Sequence, residues 1–169
     1  MVKKLKNLEN WAEKQRAICH KARMRRFGIP PRADISYHIR PGAYAIITRG
    51  QHILLTRQNI GYEEVQLPGG GIDAGEGPLT ALHREAYEET GWKIAPIRKL
   101  GVYRNFVYMP EYNRQAEKVC HIYHCHAVRK ISEPVEPDHQ AIWADATTAL
   151  EILEVEGDRY FLGTFLRNR

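Results

Sequence analysis

Residues Gly69–Trp92 read GGGIDAGEGPLTALHREAYEETGW, and the chemistry of this stretch decides the rest. Pro78, suited to the first helical position, and Gly91, suited to the stop, predict a helix over 78–90. Glu85, Glu88 and Glu89 then stand at i, i+3 and i+4 and share one face. Like charges at that spacing repel by roughly 0.2–0.5 kcal/mol per pair. They also occupy the last turn, where the negative end of the helix dipole disfavours carboxylates. Arg84 can pair with Glu88, but one cation does not balance three anions. A bound divalent cation resolves the conflict, and grouped carboxylate oxygens suit Mg²⁺ or Mn²⁺. The glycines before the helix (Gly69, Gly70, Gly71, Gly75) permit a turn whose bare backbone approaches a metal or a phosphate closely.

Outward from this core, Ala43–Thr48 and His52–Thr56 are short β-rich runs separated by a turn at Arg49–Gln51. Glu64–Leu67 is a further strand, ended by Pro68 and three glycines. Two long β-like stretches follow at about 93–108 and 117–129, with a polar loop expected over 110–115, and 140–144 reads as a last strand. Thr148 with Glu151 is expected to cap a helix over 149–154, and Asp158 another over 159–167. Residues 4–26 read as an amphipathic helix closed by Gly28, Pro30 and Pro31. The division expected is a basic N-terminal helix and linker over 1–35, then a domain over 36–169. Strands mixed with few helices point to an α/β sheet covered on both faces.

The net charge of +5 is uneven. Residues 1–40 hold eleven Lys and Arg against three acids, a net of +8, and the remainder is −3. The basic segment would attract phosphates, nucleic acid or an acidic surface, or its apolar stripe would pack against the domain or a second copy in a homodimer. No apolar run reaches the length that spans a bilayer, so no membrane partner is expected, and no apolar segment of the signal-peptide kind follows the first lysines. Three cysteines without framework spacing suit a reducing compartment, so a cytoplasmic location is expected. The run Cys120–His126 (CHIYHCH) has no structural zinc spacing on either strand face.

The central stretch resembles the signature of the Nudix hydrolase family, G-x5-E-x7-R-E-U-x-E-E-x-G-U, in which U is a bulky apolar residue. It falls on Gly70, Glu76, Arg84, Glu85, Ala86, Glu88, Glu89, Gly91 and Trp92. Every fixed position matches; Ala86 is small for its place and Trp92 is uncommon but apolar. The similarity extends over about 40–155, with Leu67–Pro68–Gly69 as the family's lead-in. The fold it implies is an α/β/α sandwich around a mixed β-sheet, here preceded by the N-terminal helical extension.

The resemblance also implies roles. Glu85, Glu88 and Glu89, with the Gly69 carbonyl, would bind Mg²⁺ (or Mn²⁺), and Arg84 would orient Glu88 or Glu89. Glu76 would help organise the loop or bind metal indirectly. Gly70, Gly71 and Arg57, which follows LLT in the second strand, would meet substrate phosphates. The general base would be Glu85 or an acid from the later loop KISEPVEPDHQ, where Glu136 is favoured over Glu133 and Asp138. The reaction implied is metal-dependent cleavage of a phosphoanhydride in a nucleoside diphosphate linked to another moiety, with a nucleoside triphosphate or related nucleotide favoured. ADP-ribose, a dinucleoside polyphosphate and an RNA 5′ end are the other substrates, and a catalytically silent nucleotide- or RNA-binding module is the reading from another class.

Overall fold

The computed structural model describes residues 24–59 and 61–169. The helix expected over 4–26 therefore lies outside the described residues, except at its end, and there the backbone is extended. Arg25–Phe27 form strand β1. The other strands are β2 (His38–Arg49), β3 (His52–Asn59), β4 (Glu63–Gln66), β5 (Gly69–Gly71), β6 (Trp92–Met109), β7 (Arg114–Lys130) and β8 (His139–Asp145). The helices are α1 (Pro78–Thr90), α2 (Ala146–Ile152) and α3 (Glu156–Arg167). The strands join in one mixed sheet of order β1-β6-β7-β2-β3-β4, with β5 added to β2 and β8 to β3. The β2–β7 and β1–β6 pairs are parallel and the rest antiparallel.

β2 lies at the centre, and its run Ala43–Ile47 is apolar at every position because both faces are covered. Alternation sends Ala43, Ala45 and Ile47 towards α1, where they meet Ala81, Leu82 and Ala86. Tyr44 and Ile46 go the other way, into a core closed by Ala149, Leu153, Phe161, Leu162 and Phe165 of the α2–α3 side. The result is the three-layer α/β/α sandwich expected. The alanines on both α1 and β2 let the helix lie close to the sheet, which carries its carboxylates against the β5 backbone.

Three local expectations are corrected. α2 is capped one turn earlier than the Thr148–Glu151 reading placed it. The Asp145 carboxylate accepts the Thr147 and Thr148 amides, each at 3.0 Å, and the Thr148 hydroxyl at 2.7 Å. Asp145 ends β8 directly, so strand passes to helix without a loop. Asp158 caps nothing: α3 begins at Glu156, and Asp158 is buried in its first turn. There it accepts the Tyr103 hydroxyl at 2.8 Å and the Leu67 amide at 3.2 Å, pinning the strand that leads into the glycines. The expected loop over 110–115 shrinks to a single 3-10 turn at Pro110–Tyr112, and Asn113 closes it at φ 47° before β7 starts. Among the described residues no helix is long and apolar enough to cross a membrane.

Candidate active site

The site forms where the last turns of α1 meet β5 and the segment that follows β7. Gly91 ends α1 in the left-handed region at φ 72°, its amide donating to the Tyr87 carbonyl. The chain later returns to this helix end. The Ile131 amide donates to the Gly91 carbonyl at 2.8 Å, and the Val135 and Glu136 amides donate to the Glu88 carbonyl at 2.7 and 3.2 Å. The carbonyls that a helix end leaves unpaired are satisfied by the loop. On its far side the loop is tied to β3, where the Asn59 amide donates to the Asp138 carbonyl at 3.0 Å. Glu136 and His139 are thereby held over the helix end.

Arg84 is the hub. Its Nε and Nη2 bind both oxygens of Glu76 at 3.1 and 2.9 Å in a fork-to-fork pair. Nη1 donates to Glu85 at 2.8 Å and to Glu88 at 3.1 Å, and Nη2 also reaches the Gly71 carbonyl at 2.9 Å. The guanidinium holds Glu76 below the usual carboxylate range. Glu85 behaves differently. Burial pushes its carboxyl up to about 7 against the pull of Arg84, and the neighbouring charges of Glu89 and Glu136 add to the rise. Gly70 permits this placement, because a β-carbon there would sit 2.6 Å from the Glu85 carboxylate.

Glu89 is buried, and burial raises it above the ordinary value. Its Oε2 accepts the Gly69 amide at 2.9 Å, so Gly69 meets this carboxylate through its N–H. Its Oε1 faces the His139 Nε2 at 3.4 Å, and the His139 Nδ1 lies 2.9 Å from Glu136 Oε2. Burial pulls the His139 imidazole down, but the carboxylates of Glu89, Glu136 and Asp138 together hold it above its ordinary value. Neither ring nitrogen makes a hydrogen bond of proper geometry, although the ring is buried.

The structure thus brings together Gly69, Gly70, Gly71, Glu76, Arg84, Glu85, Glu88, Glu89 and Glu136. Of the loop acids, Glu136 alone points into the cluster's histidine; Glu133 is exposed and pairs with Lys130 at 2.5 Å. Arg57 lies elsewhere. It reaches Gln140 at 3.4 Å and Glu63 at 3.8 Å, and alternation along β3 turns it away from Gln58, which stands across from His139. Two neighbours were missed in the sequence. His139 sits three residues after Glu136, within reach on a tight turn, and that spacing was its one signal. Arg40 packs beside Gly71 and over the Tyr112 ring at 5.0 Å, a contact that only the tertiary fold creates. Of the CHIYHCH run, Cys120 and Cys125 are free and buried, and His124 and His126 both bond the Thr48 hydroxyl. Among the described residues, the group of side chains placed to hold an ion is Glu89, Glu136 and His139.

The donor set fits a divalent cation. Arg84 sits among Glu76, Glu85 and Glu88, and Glu89 and Glu136 face His139 beside them, so five carboxylates meet one guanidinium and one imidazole in a partly buried place.

A sequence profile described as the NUDIX domain matches residues 38–165. The RNA pyrophosphohydrolase of Photorhabdus laumondii subsp. laumondii is 37% identical over 68 residues, which are 40% of this chain and 39% of that protein. The alignment thus spans about two fifths of that relative's length. Among solved structures, a MutT NUDIX hydrolase from Burkholderia pseudomallei is 30% identical with a TM-score of 0.55, covering 75% of this chain and 97% of that one. A NUDIX hydrolase from Nitrosomonas europaea, 15% identical, superposes with a TM-score of 0.64 over 78% of this chain and 90% of its own. The profile spans both core layers and every carboxylate of the cluster, so the chain belongs to the NUDIX family.

Proposed function

We propose that this chain hydrolyses the phosphoanhydride of a nucleoside 5′-polyphosphate with the help of Mg²⁺ or Mn²⁺, a nucleoside triphosphate being the favoured substrate. The observation that carries the reading is the gathering of carboxylates at the end of α1, with Glu85 and Glu88 on Arg84 and Glu89 and Glu136 on His139. Glu85, Glu88 and Glu89, with the Gly69 carbonyl, would hold the cation. Such an ion neutralises anhydride oxygens and lowers the pKa of an attacking water. The remaining work belongs to the chain. Arg84 fixes the rotamers of Glu85 and Glu88 while tying them to the Gly71 carbonyl. Glu76 keeps that guanidinium in place. Glu85 is the first candidate to accept the proton of the attacking water, and Glu136 is the second. Gly70 and Gly71 offer backbone close to the phosphates, and Arg40 beside them offers a cation with an exposed aromatic ring, Tyr112, for a base.

A second reading, an RNA 5′-terminal triphosphate, is favoured by the name of the relatives and by the +8 charge of residues 1–40. A panel of nucleoside triphosphates, ADP-ribose, dinucleoside polyphosphates and a 5′-triphosphorylated oligonucleotide, with products identified by mass, separates the substrates. Glu89→Gln should abolish turnover of whichever is cleaved. If wild type and Glu89→Gln both bind nucleotide and neither releases product, the chain is a binding module instead.

A further inference from the structure

We infer that His139 gives the cation site a nitrogen donor, beside Glu89 and Glu136, and so shifts its preference from Mg²⁺ towards a first-row transition ion. The inference rests on the reading above that a divalent cation works here, and it adds a ligand that the carboxylate motif does not contain.

Burial is the first argument. The His139 side chain is only 5% exposed, yet neither ring nitrogen makes a hydrogen bond of proper geometry. Its neighbours on both sides are carboxylates, Glu136 beside Nδ1 and Glu89 beside Nε2, so the ring stands among the oxygens that a cation would gather. The fold anchors it firmly. The His139 amide donates to the Glu136 carbonyl at 3.2 Å, closing a turn that sets the two side chains together. β8 then starts at His139 and pairs with β3, so the residue is fixed on both sides.

Spacing is the second. Carboxylate oxygens lie 2.9 Å from Nδ1 and 3.4 Å from Nε2, off the directions that a hydrogen bond requires. One donor atom from each of Glu89, Glu136 and His139 falls within 4.8 Å of the others. An octahedral ion with bonds of about 2.1 Å spaces adjacent donors about 3.0 Å apart and opposite donors about 4.2 Å apart. One ring nitrogen and one oxygen of each carboxylate thus lie close enough for small side-chain shifts to bring them onto a single ion.

Chemistry is the third. Oε2 of Glu89 is held by the Gly69 amide, which leaves Oε1 turned towards the ring. An all-oxygen shell suits Mg²⁺, whereas an imidazole nitrogen favours later first-row ions. Glu89 belongs to both the helical carboxylate face and this trio, so the nitrogen enters the same site.

The direct test is pulsed electron paramagnetic resonance of stoichiometric Mn²⁺ bound to the full chain. The wild type should show a ¹⁴N coupling that becomes a ¹⁵N coupling when the protein is made with ¹⁵N-histidine. His139→Gln should lose it, and its Mn²⁺-over-Mg²⁺ selectivity by calorimetry should fall about tenfold. Should His139→Gln not fold, Glu136→Gln keeps every histidine and should weaken Mn²⁺ binding about tenfold. Mn²⁺ bound and substrate hydrolysed with no nitrogen coupling would overturn the ligand assignment and leave the functional reading standing. A coupling that survives in His139→Gln would place the ion on another histidine and overturn it too. No Mn²⁺ binding together with no hydrolysis would remove both.

Discussion

Gly91→Ala should damage the site from its edge, and the structure allows its size to be worked out. Gly91 has φ 72°, and a β-carbon there would stand 2.0 Å from the Ser132 carbonyl oxygen. Left-handed backbone costs an alanine about 1–2 kcal/mol. Relieving the clash must move the segment that hangs on the Gly91 and Glu88 carbonyls, a further roughly 1–3 kcal/mol. Gly75 supplies the control, because it also has positive φ (84°) but nothing within 4 Å of its missing β-carbon. Gly75→Ala bears the backbone strain alone. For a domain of this size the melting temperature should fall by roughly 10 °C for Gly91→Ala and roughly 4 °C for Gly75→Ala. Turnover by Gly91→Ala should also drop by about a hundredfold, since Glu136 and His139 move with the loop. Thermal melts and steady-state rates on the two variants decide it. Equal melting losses, or full turnover by Gly91→Ala, would show that the loop is not braced on the helix end as described.

Arg84→Lys keeps the charge but loses the fork that binds both Glu76 oxygens while spanning Glu85, Glu88 and the Gly71 carbonyl. A loss of about 1.5–3 kcal/mol in denaturant unfolding without metal is expected, and a variant as stable as the wild type would contradict the hub. Asp158 is raised by burial to about 6, against about 3.9 in an unfolded chain. Its contribution is therefore fully present below about pH 3.9 and lost as pH rises through 6, about 3 kcal/mol in all. Asp158→Asn should lack this component, so its stability relative to the wild type should improve between pH 4 and 7; a constant difference would refute the assignment. Glu85 at about 7 without metal must give up its proton to bind one. Apparent Mg²⁺ affinity should climb up to about tenfold per pH unit below 7 and level off above it, and calorimetry from pH 5.5 to 8 should show a shallower climb for Glu85→Gln; an unchanged slope would mean that Glu85 is not a ligand.

The reach of the sequence can be judged residue by residue. The face shared by Glu85, Glu88 and Glu89 follows from helical spacing alone, and the stop at Gly91 follows from glycine's freedom at positive φ. The Ala43–Ile47 part of β2 was legible because a stretch of strand buried on both sides carries apolar residues at every position. The errors cluster where tertiary partners replace local ones. Asp158 reads as a cap until Tyr103 and Leu67 are seen to claim its oxygens, and they come from 55 and 91 residues away. His139 reads as an ordinary loop residue because its neighbour Glu89 lies on another element. The direction of Arg57 could not be read either, since the β3–β8 pairing is what sets it opposite Gln140. Position on an element can be read from spacing, but convergence of elements cannot.

The central claim is that the acidic end of α1 holds a divalent cation against a polyphosphate. Calorimetric titration of Mg²⁺ into the protein saturated with a non-hydrolysable nucleoside triphosphate analogue tests it most directly, comparing the wild type with Glu85→Gln/Glu89→Gln. Beyond the Mg²⁺ that the analogue binds by itself in a protein-free titration, the account predicts a saturable isotherm for the wild type and none for the double variant, with both proteins still folded. Identical isotherms for the two would place the cation elsewhere and contradict it.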